Sequence, residues 1–167
     1  MQACELPVIS GTFFRIVYAE HATDSLQGAR SPEGRFHHDG EPALYMSSRP
    51  DWALKAVEAY LRPGDPPRVT VPLALGPARI VDLGDAALCD RLGIDAAHAA
   101  IPWQPQRARG EAPHTWRPAD ASRRAGADGM IYTARSAPDR WHLVLFRWNC
   151  AGGPAVAVSG PSRPLVV

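Results

Sequence analysis

Proline sets the grain of this chain. Seventeen prolines in 167 residues punctuate it into short elements, because each fixes its own φ and contributes no N–H to a helix or a ladder. None of the proline-rich stretches isolates a second domain, and the length suits one core over residues 1–167. Scattered strands with a few short helices imply the α+β class rather than an alternating β-α pattern.

Phe13 to Tyr18 (FFRIVY) reads as a strand, being aromatic and β-branched. A polar loop from Ala22 to Gly34 separates it from a second strand at Pro42 to Ser47. Ser48-Arg49-Pro50 then opens a helix, with Asp51 at its positive end, and Leu61 closes it before Pro63-Gly64. Val69, Val71, Leu73 and Leu75 alternate with Thr70, Pro72 and Ala74, a half-buried strand whose proline favours an edge or a bulge. A short strand at Arg79 to Leu83 and a helix at Ala86 to Leu92 follow. Ile101 to Trp116, with three prolines, fits neither state and reads as a long functional loop. Ser122 to Ala125 ends a short helix before Gly126, and strands are expected at Gly129 to Thr133 and Trp141 to Phe146.

Several classes of function drop out. Apolar residues make up 46% and charged residues 21%, the balance of a folded soluble chain, and the net charge of +1 gives no basic stripe for direct nucleic-acid binding. The apolar runs are strand-sized, so no membrane span is expected, and MQACELPVIS lacks the pattern of a signal peptide. Cys4, Cys89 and Cys150 form no C-x-x-C pair, which suits a reducing compartment and a cytoplasmic protein. There is no G-x-G-x-x-G after a strand, no Walker A loop and no H-E-x-x-H. His37, His38 and Asp39 are adjacent and lack the spacing of ligands on one face, so no metal is expected.

A set of Arg, His, Tyr, Ser and Glu side chains remains in the first third of the chain. Arg15 lies in an apolar strand, where it either points to the solvated face or faces a cleft that receives anions. Arg35 lies in a loop bounded by Gly34 and Gly40, where a planar guanidinium can take a phosphate oxygen pair; an ordinary turn arginine is the plainer reading. Tyr45 either fills the core or stacks on a flat heterocycle. Ser47 and Ser48 suit a helix N-cap, and a serine there can also orient a ribose. Helical periodicity groups Glu58 with Asp51, Lys55 and Arg62 on a solvated face, paired with Arg62, although Leu54 and Leu61 flank it.

Four segments in order are similar to the RES-domain family: FFRIVY with Arg15, EGRFHHDGEPALYMSS with Arg35 and Tyr45, ALKAVEAY with Glu58, and ADGMIYTAR followed by HLVLF. Members of that family are toxins of bacterial toxin-antitoxin pairs. The resemblance implies an ADP-ribosyltransferase-like split β-sheet core with short flanking helices around an NAD cleft. It implies cleavage of NAD⁺, as a consumed substrate and without a metal, at the nicotinamide-ribose bond, with ADP-ribose passed to a protein, phosphate or water. Arg15, Arg35 and Glu58 match the family's catalytic positions and Tyr45 its pocket tyrosine, while Thr133 or Ser136 stands near the family serine. His37, His38 and Ser48 are expected to contact the substrate's ribose or phosphate. The expected partner is an Xre-type, helix-rich, DNA-binding antitoxin that blocks the cleft. The alternative is a non-catalytic module that binds a nucleotide or a phosphorylated ligand.

Overall fold

Among the described residues, seven strands form one mixed sheet, and its two longest members set the shape. The structure, a computed structural model, describes residues 4–165; residues 1–3 and 166–167 of the expected domain lie outside them. Strand β1 (Val8–Tyr18) runs antiparallel to β3 (Arg68–Asp82), from Val8 opposite Arg79 to Tyr18 opposite Arg68. Between them the sheet continues through β2 (Leu44–Ser47), β5 (Ala137–Leu145) and β4 (Gly129–Ala134) in the order β1-β2-β5-β4-β3. Because β1 also pairs with β3, these five strands close a circuit. The weakest join is β1 to β2, a single pair between Phe14 and Ser47, and there the sheet splits. Short strands β6 (Val156–Val158) and β7 (Arg163–Pro164) add to β3.

The two strands expected at Val69 to Leu75 and Arg79 to Leu83 are one strand that runs through Pro72. The Pro72 carbonyl accepts the Ser159 N–H at 3.0 Å, so its missing N–H faces the same side, just past the last β3–β6 pair at Leu73 and Val158. The ladder to β1 loses nothing. A register shift between Ile9 and Gly11 of β1 absorbs the extra residue contributed by Gly76 and Pro77 on β3.

Among the described residues, four short α-helices flank the sheet: α1 (Pro50–Val57), α2 (Ala86–Leu92), α3 (Trp103–Ala108) and α4 (Trp116–Arg124). Helix α2 has the expected limits, because the Asp85 side chain accepts from the Leu88 N–H and Gly93 closes the last turn at φ 68°. Helix α1 stops earlier than expected, and Glu58–Tyr60 form a separate 3-10 turn. Its N-cap is Arg49, without a side-chain cap, rather than Ser47 or Ser48. The segment expected to be irregular, Ile101 to Trp116, contains α3 and the first residue of α4. No helix among the described residues is long and apolar enough to cross a membrane.

Strand alternation divides the apolar residues into two cores. Leu44, Leu73, Ile80, Leu143 and Leu145 belong to the first, which joins β1, β2, β3, β5 and β6. Phe36, Leu88, Ala119, Met130 and Val144 belong to the second, between the other sheet face and α2, α4 and the loop before β2. Each fully buried Leu or Ile stabilises the fold by about 1.5–3 kcal/mol relative to exposure. Period two then sends Tyr45 and Ser47 to the face opposite Leu44 and Met46.

Candidate active site

At the split between β1 and β2 lies a cavity of about 200 Å³, lined by Phe14, Arg15, Tyr45, Ser47, Tyr132 and His142 among others. Ala53, Ala56 and Val57 of α1 supply an apolar wall. Larger hollows lie elsewhere, beside α2 and between residues 61–68 and the C-terminal strand. Neither holds the cluster of arginine, tyrosine and histidine found at the split.

Strand pairing builds the floor. Phe14 is opposite Ser47, Ser47 opposite His142, and His142 opposite Tyr132, so one row of side chains crosses four strands on one face. Ser47 Oγ lies 2.7 Å from His142 Nδ1. Burial lowers the proton affinity of His142 to a pKa of about 4, with the cations Arg140 and Arg35 acting the same way. Burial also pushes the Tyr132 phenol up to about 12. Tyr132 and His142 stand outside the expected set of site residues, and for Ser47 the sequence offers a helix cap or a ribose contact rather than a histidine partner. The sequence carried one signal for His142, a polar residue leading the otherwise apolar run LVLF.

Arg35 is held above this row. Its guanidinium carbon lies 4.9 Å from the Tyr132 ring centre and 4.8 Å from that of Phe36, while Nη2 donates to the Ala99 carbonyl at 2.7 Å. Burial lowers its proton affinity, and the neighbouring Tyr132 opposes that effect. The loop that carries it is pinned from outside. Trp116 Nε1 donates to the Gly34 carbonyl at 2.8 Å, Arg123 donates to the Phe36 carbonyl at 2.9 Å, and Arg107 pairs with Glu33 at 2.6 Å. Helices α3 and α4 therefore buttress the Arg35 loop, which is what the supposedly irregular segment does.

Arg15 lines the same cavity but shares the strand face of Phe13 and Val17, both in the first core. Its guanidinium donates to the Ser25 carbonyl. Burial, then the nearby Arg30, lowers its pKa to about 10, so Arg15 stays cationic at neutral pH.

The two histidines have separate fates. His37 is 2% exposed, with Nε2 2.9 Å from the Ser31 carbonyl and Nδ1 2.7 Å from the Tyr45 hydroxyl. A carbonyl only accepts, so Nε2 carries the proton and Tyr45 donates to Nδ1. Burial lowers the proton affinity of His37 despite the Ser31 bond. Both ring nitrogens are thus spent inside the protein, and Tyr45 is committed to the same network. His38 stacks on Trp116 at 4.4 Å and contacts Asp39 at 2.7 Å and Asp120 at 3.0 Å. Burial works against its charge, but these two carboxylates prevail and raise its pKa. Ligand atoms of His38, Glu41 and Asp120 lie within 4.8 Å of one another, a grouping that can hold a metal ion. Arg123 stands 3.5 Å from Glu41 and 3.1 Å from Asp120 and already supplies positive charge there.

Glu58 does not line the cavity. Its side chain is 56% exposed and pairs with Lys55 at 3.2 Å, not with Arg62, whose guanidinium donates to the Ala59 and Leu61 carbonyls. Val57, the neighbour of Glu58, lines the cavity, and Tyr60, two residues past Glu58, is exposed. Ser48 is half-buried at the end of β2. Thr133 and Ser136 are exposed, and Thr133 lies opposite Trp141, on the face away from Tyr132. Ser136 Oγ accepts from Arg140 at 3.4 Å.

A single α+β domain with a split mixed sheet and a cavity at the split defines the class. The RES domain family matches residues 12–167, and the chain belongs to that family. A comparison with curated proteins gives no match. Among solved structures, a chain of the Mycobacterium tuberculosis MbcT–MbcA toxin–antitoxin complex superposes with a TM-score of 0.61 at 17% identity, over 94% of this chain and 85% of that one. That likeness is one of fold.

Proposed function

We propose that this protein is the toxin of a bacterial toxin–antitoxin module that consumes NAD⁺. Membership of the RES domain family over residues 12–167 carries the proposal, and the cavity at the split supports it. The bond between ribose C1′ and the pyridinium nitrogen breaks, with its electron pair leaving on nicotinamide. An acceptor oxygen, from a protein, phosphate or water, forms the new bond to C1′ and releases its proton to solvent.

Nicotinamide leaves readily, so the site mainly has to hold the substrate and stabilise an oxocarbenium-like ribose. Arg15 and Arg35 hold the pyrophosphate as buried cations. Tyr45 and Tyr132 present rings to the nicotinamide end, and Glu58 swings from Lys55 to oppose the positive charge at C1′. Ser48 and His38 contact the outer parts of the substrate. An antitoxin covering the cleft silences the enzyme. The exposure of Glu58 favours a second reading, a nucleotide-binding module without chemistry.

Labelled NAD⁺ incubated with the protein and cell extract separates these outcomes. A labelled protein band means transfer, and free ADP-ribose or its phosphorylated form means depletion. Glu58→Ala is expected to lower turnover ~100-fold or more with NAD⁺ binding retained. Binding without turnover in the wild type makes the protein a module, and the absence of both sinks the proposal.

A further inference from the structure

The Ser47–His142 pair has an unspent group. Ser47 and His142 are 3% and 4% exposed, and their contact at 2.7 Å uses only Nδ1 of the imidazole. Nε2 has no hydrogen-bond partner among the described residues. It is not one of the sealed, unpartnered side-chain atoms, which are Ser25 Oγ, Thr115 Oγ1 and Arg140 Nε. As His142 lines the cavity, Nε2 opens into it. Buried polar groups are almost always paired, so an imidazole nitrogen left free on a cavity wall marks a place for a ligand.

The surroundings define which ligand. A volume of about 200 Å³ is below the ~300–1,000 Å³ of sites that enclose a whole drug-sized molecule, so it takes one ring. Met46, Ala53, Ala56 and Val57 beside the aromatic Tyr132 suit a flat ring. The polar edge at Ser47–His142 can switch roles. When the serine hydroxyl donates to Nδ1, Nε2–H is a donor; when Nδ1–H donates to serine, Nε2 is an acceptor. A neutral pair of this kind matches a group that both donates and accepts, and it places no added positive charge beside a cationic ring.

We propose that the Ser47–His142 pair determines specificity by hydrogen-bonding the carboxamide of the nicotinamide ring through His142 Nε2. This rests on NAD⁺ being the substrate, and it assigns the cavity to the leaving group. Replacing the amide by a carboxylate leaves only the Nε2–H tautomer able to pair and sets an anion against a pair that stays neutral.

Two measurements on the full chain test it. In imidazole-detected NMR, free nicotinamide is expected to shift the His142 resonances, while nicotinic acid at the same concentration shifts them little. In kinetics, the wild type is expected to favour NAD⁺ over nicotinic acid adenine dinucleotide at least ~10-fold in kcat/KM. His142→Leu brings that ratio to near unity, and His142→Gln, whose amide can both donate and accept, restores part of it. A merely structural histidine would lower both substrates alike. If His142→Leu does not fold, Ser47→Ala and His142→Gln carry the comparison.

An unchanged ratio in the variants, or nicotinamide binding without a His142 shift, overturns the inference and leaves NAD⁺ consumption standing. Failure of the wild type to cleave NAD⁺ removes the proposed function instead. The nicotinamide titration then decides the ring site alone, with no shift counting against it.

Discussion

The hydroxyl of Tyr45 donates to His37 Nδ1 across 2.7 Å, and the same oxygen accepts the Phe36 N–H at 3.0 Å. With His37 Nε2–H on the Ser31 carbonyl, the phenol ties both sides of the Arg35 loop to β2. Tyr45→Phe keeps the ring but strands a buried imidazole nitrogen and a backbone N–H. A loss of about 2 kcal/mol is expected, since unpaired buried groups cost ~1–3 kcal/mol each and can partly relax. Urea denaturation measures it; an unchanged midpoint would mean that water replaces the hydroxyl.

Gly34 is needed for space rather than for its φ. A Cβ there would meet His37 Cε1 at 2.4 Å, and the buried His37 is held at both nitrogens. Gly34→Ala is expected to destabilise by ~1–3 kcal/mol through overpacking. Gly40 is the contrasting case, with φ +73° and nothing within 4 Å of the point where a methyl group would stand. Gly40→Ala should cost only the ~1–2 kcal/mol of a left-handed backbone. Thermal melts of the two variants rank them, and the larger loss belongs to Gly34.

How far the sequence could be read depended on range. Local signals worked: the alternation of β3, the Asp85 cap and Gly93 stop of α2, and the apolar runs of β4 and β5 are each encoded within a few residues. Gly76-Pro77 misled, because the strand continues through them by a register shift against Ile9 and Gly11 of β1, more than sixty residues earlier. Arg35 was legible as a loop cation between glycines. Its setting against Tyr132 and Ala99 was not, since those partners come from remote segments. Glu58 shows the converse. Periodicity put it on a solvated face, the structure does the same, and the catalytic role proposed for it rests on the family resemblance. The Ser47–His142 contact joins residues 95 apart in sequence, and only strand register brings them together.

His142 makes stability depend on pH in a definite direction. Its folded pKa is lowered to about 4 from 6.5, so the unfolded chain takes up a proton that the fold refuses. The contribution is complete above pH 6.5, falls as pH drops toward 4 and levels off below. His37 acts in the same sense, and His38, whose pKa is raised, acts in the opposite one. The double variant Ser47→Ala/His142→Phe removes the His142 part alone. Denaturant unfolding from pH 7 to 4 should show the wild type losing on the order of 2 kcal/mol more than the variant. Parallel profiles would mean that His142 takes up its proton in the fold as readily as in the unfolded chain.

Asp128 is a buried polar junction of the sheet. The residue is 3% exposed; its carboxylate accepts the Arg79 N–H at 2.8 Å and Arg147 Nε at 2.5 Å. Its own N–H donates to the Arg79 carbonyl, and its carbonyl accepts the Phe146 N–H. One residue thus fixes where β4 starts between β3 and the end of β5, and with it the register that sets Tyr132 opposite His142. Asp128→Ala leaves the Arg79 N–H without its acceptor and Arg147, which is 36% exposed and still donates to the Gly126 carbonyl, without its counter-ion; the expected cost is ~1–3 kcal/mol, the range for a buried polar group left unpaired. Asp128→Asn keeps an acceptor for Arg79 and loses the ion pair, so its cost should be smaller. If denaturation ranks asparagine and alanine equally, the charge rather than the hydrogen bond to Arg79 holds the junction; if both are silent, the strand ladder alone sets the register.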